Sequence, residues 1–191
     1  PGEVITHSYL IDEESTLPTV SLTTDPYNLW DEEYGIYVMG NDADWEFPHF
    51  GANFWEDWER PIHIEFFEPN GDLGFSLNAG VKIFGNYSRG YPQKSVAIYA
   101  RSSYGTSQID YQIFPDKQID SFKAIVLRNS GNDWEQTMLR DGYINSIIQL
   151  TGVDYQQYRP AIGFINGEYW GIYNMREKIS VRTNQTSHQL C

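Results

Sequence analysis

One cysteine is present, Cys191 at the very end of the chain, so an intrachain disulfide is excluded and no cysteine-based zinc site can form. No apolar run approaches the length that crosses a bilayer, and no basic-then-apolar signal stands at the N-terminus. The four histidines, His7, His49, His63 and His188, are scattered without ligand spacing, and no Ser-His-Asp set suggests itself. Basic charge is scarce: 13 Lys and Arg against 26 Asp and Glu leave a net −13. That balance argues against a nucleic-acid surface held by phosphate neutralisation and against docking on, or insertion into, anionic membrane. There is no internal repeat and no low-complexity tract. The chain opens at Pro1 without a methionine, as it would if an N-terminal segment had been removed.

What is present is a globular composition. Hydrophobic residues make up 40% of 191, with 16 glycines besides, which fits one domain. Aromatics reach 16%, with 6 Trp, 14 Tyr and 10 Phe, so large rings carry much of the burial. The acidity reads first as solvated surface. A few cations gathered against it can still hold a phosphate locally.

Residues 1–20 read as a linker or entry strand, 21–179 as the domain and 180–191 as a polar tail. Asp25-Pro26 before Tyr27-Asn28-Leu29-Trp30 starts a short helix, with Asp as cap and Pro in the first turn. Residues 39–59, rich in acids and rings, read as an ordered loop whose aromatics pack inward. From Pro61 the period becomes that of a strand: Ile62, Ile64 and Phe66 alternate with His63 and Glu65, and Asn70-Gly71 turns the chain into Gly74–Phe84. Lys94–Tyr99 and Phe122–Leu127 are further strands. A helix is expected over 133–150, with Asp133 and Gln136 as a capping box and an apolar face of Met138, Leu139, Ile144, Ile147, Ile148 and Leu150. Ala161–Ile165, Asn166-Gly167 and Tyr169–Met175 form a second hairpin. The order of elements predicts an α+β chain, a mostly antiparallel sheet with one main helix.

Chemistry concentrates in a few segments. Gly85–Gly90, followed by Lys94, offers backbone N–H groups with Arg89 and Lys94 close by, an arrangement that cradles an anion or simply decorates a turn. Arg128–Asp133 runs from strand to helix, with Arg140-Asp141 beyond it; it either caps and braces, or presents an anion to a helix start. Arg176-Glu177-Lys178 closes the last hairpin. Asp42, Asp44 and Glu46 resemble half a calcium loop but lack its glycine and distal glutamate. Asn86-Tyr87-Ser88 and Asn184-Gln185-Thr186 fit a glycosylation pattern that is often met by chance.

Taken together, Leu22–Asp31, Ala79–Arg89 with Pro92–Ser95, Leu127–Asp133, Leu139–Asp141 and Asn166–Lys178 resemble, in order, the CotH family of spore-coat-type atypical protein kinases, also found as domains of large secreted bacterial proteins. The resemblance implies a fold like the N-terminal lobe of a divergent protein kinase. It implies ATP- and Mg²⁺-dependent phosphoryl transfer to Ser or Thr of a coat or surface protein, at the spore coat, cell surface or outside the cell. It casts Gly85–Gly90 as the phosphate-covering turn with Arg89, Lys94 as the phosphate lysine, and helix 133–150, with Arg140, as the source of its acidic partner, Glu135 or Asp141. Glu177 falls near the lobe hinge. The family's chain continues where this one turns polar after Lys178, so the expectation is an amino-terminal portion without the second lobe that bears the catalytic base. An uncovered sheet near 160–180 would then leave apolar surface fit for a homodimer. Two other readings stand beside this one: a non-catalytic extracellular carbohydrate- or protein-binding module using Trp45 or Trp55, and a calcium-stabilised adhesin.

Overall fold

Strands whose alternate side chains are apolar must bury one face, and here seven of them do so by closing on themselves. The structure is a computed structural model and describes residues 5–11, 15–151 and 153–178. The barrel strands are β1 (Thr19–Thr23), β2 (Arg60–Phe67), β3 (Leu73–Phe84), β4 (Ser95–Tyr99), β7 (Ala124–Arg128), β8 (Tyr158–Ile165) and β9 (Glu168–Glu177), in the spatial order β1-β2-β3-β4-β7-β9-β8. Two short strands, β5 (Ile109–Asp110) and β6 (Ser121–Phe122), pair separately. Neighbours in the barrel are antiparallel except β1 and β8, whose parallel pairing closes the ring. The fold is therefore α+β and mostly antiparallel, with one main helix.

The registers put one set of side chains inside. Val20, Leu22, Ile64, Phe66, Val81, Ile83, Val96, Ile98, Ile125, Leu127, Tyr173 and Met175 are all buried, and each pairs across the ladder with another inward position. Gly163 sits opposite this crowding: a Cβ there would stand 2.6 Å from the Tyr173 ring. The β8–β9 turn has φ of +50° at Asn166 and +83° at Gly167, the primed geometry that two-residue hairpins favour. The Asn166 side chain also accepts the Thr24 N–H at 2.9 Å and so ties this hairpin to the end of β1. Pro160 is tolerated because its nitrogen points the same way as that of Ile162, which donates to Pro18 O, on a side where β1 has already ended.

The first hairpin and its Asn70-Gly71 turn, the short helix α1 (Pro26–Trp30) capped by Asp25, and β8–β9 lie where the sequence puts them. The entry segment supplies Thr19 and Val20 of β1, and Ser8 is fastened to Glu65 and Ser21. Other expectations are corrected. The run 122–127 is divided, with Phe122 in β6 and β7 starting at Ala124. In the loop at 39–59, Phe54 is buried, but Trp45, Phe47 and Phe50 are exposed.

The long helix is also shorter than expected: α2 spans only Arg140–Ile148. Met138 has a φ of +57°, which breaks helical continuity, and Asp133 lies in a separate 3-10 turn that follows Ser130. From there its Oδ2 accepts the Arg140 N–H at 3.1 Å and the Thr137 hydroxyl at 2.6 Å, capping α2 from seven residues upstream in place of the expected box. Helix α2 rests on the barrel through Gly142, where a Cβ would meet the Tyr158 ring at 2.8 Å. Leu139, Ile144, Ile147 and Leu150 are exposed, so the predicted apolar face is not core. Among the described residues the sheet closes into a barrel, and Tyr169 and Ile172 are exposed on the outside of the β8–β9 hairpin. Residues 179–191, the tail with its second glycosylation pattern, lie outside the described residues.

Replacing Gly163 by alanine is expected to destabilise the fold by roughly 1–3 kcal/mol, because Tyr173 is packed on both sides and cannot retreat. Urea unfolding measures it, and an unchanged midpoint would show that the barrel interior has slack at this point.

Candidate functional site

The turn between β3 and β4 forms from Gly85, at φ +115°, and a 3-10 turn over Tyr87–Gly90. Arg89 folds back beneath it. Its Nε donates to Gly85 O at 2.8 Å and its Nη1 to Phe54 O and Trp55 O at 3.0 Å. Lys94 also points inward and is 4% exposed; its ammonium donates to Arg89 O at 2.8 Å and Tyr91 O at 3.1 Å, above the Phe54 ring at 3.7 Å. The Lys94 backbone is clamped as well, with its N–H on Tyr37 Oη and its carbonyl accepting from Tyr173. The two cations are thus brought together, and both donate to the turn's own carbonyls. Burial pushes the Lys94 ammonium down from 10.5 to about 8.

Behind the turn, Asn129 joins two of the motif segments. It is 0% exposed. Its amide donates to Gln93 O at 2.6 Å, while its Oδ1 accepts from Ser95 Oγ at 2.8 Å and from Gly131 N–H at 3.0 Å. Ser130 then receives the Asn174 amide at 2.6 Å. The start of β4, the end of β7 and the middle of β9 are thereby held at fixed distances.

Outside the barrel, the same strands present a different set. Val126 pairs with Ala97 and Arg176, and Ala97 with Lys82, so one outward row carries Lys82, Ala97, Val126 and Arg176. The flanking rows bring in Phe84, Tyr99, Arg128 and Lys178. Three cations lie around the Tyr99 ring: Arg101 Cζ at 4.9 Å, Lys178 Nζ at 5.4 Å and Lys82 Nζ at 5.9 Å. Lys178 also stands over Phe84 at 5.9 Å. Arg101 is held by Glu59 through two bonds of 2.8 Å, and Lys82 by the exposed Asp57 at 2.9 Å. Among the described residues no carboxylate pairs with Lys178.

The sequence-predicted residues divide between these places. Arg89 and Lys94 lie under the turn. Asp141 lies at the end of the wall, 2.8 Å from Arg128 Nε and 3.8 Å from Arg176 Nη2, and not on Lys94. Glu135 is exposed, and no carboxylate pairs with Lys94 among the described residues. Arg140 reaches Gln136 at 2.9 Å and Asp133 at 3.3 Å. Glu177 has the inward parity of β9 and sits at the barrel's mouth, bonded to Lys117 and to the Gln157 N–H.

The wall residues Lys82, Phe84, Tyr99, Arg101, Arg128, Arg176 and Lys178 were missed as site residues. All but Tyr99 and Arg101 stand within the quoted motif segments, and for those on strands the signal is parity, with charged or ring side chains at the positions between core residues. Parity becomes readable only once strand ends are fixed to a residue. Among the described residues there is no group of three or more His, Cys, Asp or Glu able to hold a metal ion.

Three of these segments, at the start of β4, the end of β7 and the middle of β9, meet through Asn129, Ser130 and Asn174. The family profile described as CotH kinase protein matches residues 81–190, more than half of the chain, and the chain belongs to that family. The Leu22–Asp31 segment and most of the first hairpin precede the match. No curated protein matches the chain.

Because Lys94 binds its proton less tightly when folded, the unfolded chain holds more protons between pH 8 and 10.5. Below that window the cost of the buried charge is present in full, and stability rises as pH climbs through it. Substituting methionine for Lys94 is expected to remove this rise. The difference in unfolding free energy between wild type and Lys94→Met, measured against pH, isolates it; parallel curves would show that the ammonium keeps its ordinary affinity.

Proposed function

We propose that this chain is the nucleotide-holding part of a CotH-type protein kinase, serving ATP-dependent phosphoryl transfer to Ser or Thr of a coat or surface protein. The observation that carries the reading is the wall of cations and rings on a body of net charge −13: Lys178, Lys82 and Arg101 around Tyr99, with Phe84 beside them. A polyphosphate needs its charge neutralised and its position fixed, and in phosphoryl transfer those two effects supply most of the catalysis. Rings at the same place offer a π face for a base. Protein kinases carry a Val-Ala-Ile-Lys run on the phosphate strand; β4 reads Val96-Ala97-Ile98-Tyr99, and cations from β3, β9 and the loop after β4 stand round the tyrosine.

Within this proposal Arg89 and Lys94 support the turn from behind, with the outward cations taking the ligand. Asp141 orients Arg128, and Glu177 braces the mouth of the barrel. The cation-lined wall fits phosphates rather than a metal, so Mg²⁺ would arrive with the nucleotide. The spore-coat, cell-surface or extracellular setting belongs to the same proposal.

Calorimetric titration with ATP, with and without Mg²⁺, tests the reading. Binding at or below millimolar concentration is expected, weakened roughly tenfold, ~1.4 kcal/mol, by Lys178→Ala or Tyr99→Ala. No heat at millimolar ATP would end the proposal.

One observation favours the non-catalytic module instead. Trp45 is 91% exposed, on a loop whose Phe47 ring meets the Tyr87 ring of the β3–β4 turn at 5.3 Å, and an exposed ring is suited to stacking on a sugar. Trp55 is less suitable, since it packs on Phe50 and donates to Pro48 O. On a glycan array this reading expects binding that Trp45→Ala abolishes; an array without signal removes it.

A further inference from the structure

At the end of the wall nearest α2, two guanidinium groups share one carboxylate. Arg176 is 5% exposed, and burial pushes it down from the usual arginine range while Asp141 holds it up and Arg128 lowers it again. Its Nε and Nη2 have no hydrogen-bond acceptor, and Arg128 Nε and Asp141 Oδ2 are likewise buried without an aligned partner. The contacts of 2.8 and 3.8 Å to Asp141 Oδ2 are thus charge contacts lacking hydrogen-bond geometry. A buried guanidinium with idle donors is costly, and an arginine fork fits a planar or tetrahedral oxyanion better than a single misaligned oxygen.

Next to it lies a cavity of about 120 Å³ lined by Phe84, Val126, Arg128, Gln156, Arg176, Glu177 and Lys178. Three of these side chains are cationic, and the only acid among them, Glu177, is already bonded to Lys117. The volume corresponds to roughly four waters, enough for one phosphate group with little solvent and far too small for a nucleoside.

We infer that Arg128, Arg176 and Lys178 form a seat for a single tetrahedral oxyanion, and that the Asp141 carboxylate, which touches both guanidinium groups, is a weak stand-in for it. The shared chemistry is that of a phosphate dianion, either free or at the end of a nucleotide; the nucleotide arm rests on the reading above, and the inorganic arm does not.

The test is thermal unfolding of the chain in sodium phosphate against sodium chloride of equal ionic strength, repeated for Arg176→Gln, Arg128→Gln and Asp141→Asn. At ten times its Kd, phosphate is expected to raise the wild-type midpoint by roughly 3–5 °C. Both arginine variants should lose that rise, and Asp141→Asn should reach it at several-fold lower phosphate. No phosphate-specific rise in wild type, or an equal rise in both arginine variants, overturns the inference. Should Arg176→Gln fail to fold, Arg128→Gln decides, because that side chain is already 35% exposed. The two readings fail separately. Phosphate binding that needs the arginines, without any binding of ATP, supports the seat and removes the nucleotide; ATP binding indifferent to both arginines removes the seat alone.

Discussion

A buried primary amide with every partner in place holds this end of the barrel together. Asn129 accepts from a hydroxyl of β4 and from the backbone two residues on, while donating to the residue before Lys94. In a low-dielectric interior such a network is strong when complete and costly when broken. It therefore fixes the distance between the glycine turn and the strand that carries Arg128. Through Ser130 and Asn174 the constraint reaches β9, and with it Arg176. The family-like segments are far apart along the chain, and this knot brings them to one place.

The knot also explains why cations of similar appearance behave differently. Lys94, buried, and Arg89, half-buried, lie on its inner side and satisfy themselves on backbone carbonyls and rings. Lys178, Lys82 and Arg101 lie on its outer side, where a ligand of opposite charge can approach. Arg176 stands between the two, buried like Lys94 but lacking its acceptors. Of the outer cations, Arg101 and Lys82 are paired with Glu59 and Asp57, and among the described residues Lys178 has no carboxylate partner.

Much of the architecture could be read before any coordinates. Both hairpins announce themselves through alternation and Asn-Gly turns, and the short helix through Asp-Pro, because these signals act over a few residues. The long helix was misread for an equally physical reason: an apolar period shows that a helix can bury a face but not that anything lies opposite it. Met138, at positive φ with its carbonyl held by Ser130 and Asn174, cuts the segment, and Leu139, Ile144, Ile147 and Leu150 face solvent. Barrel closure was out of reach as well, since the parallel pairing of β1 with β8 joins residues some 140 positions apart and no local pattern encodes it.

The list of residues that bear chemistry was fixed by the chain: Arg128, Asp141, Arg176, Lys178, Arg89 and Lys94 all stand in segments whose composition marked them. Which way each points was not. Along a strand the inward and outward faces exchange with every residue, so a one-residue uncertainty in where β4, β7 or β9 begins reverses the answer. Only the ladder, pinned by Asn129 and closed through β1, removes that uncertainty, turning two marked cations into supports for a turn and leaving others on the open wall.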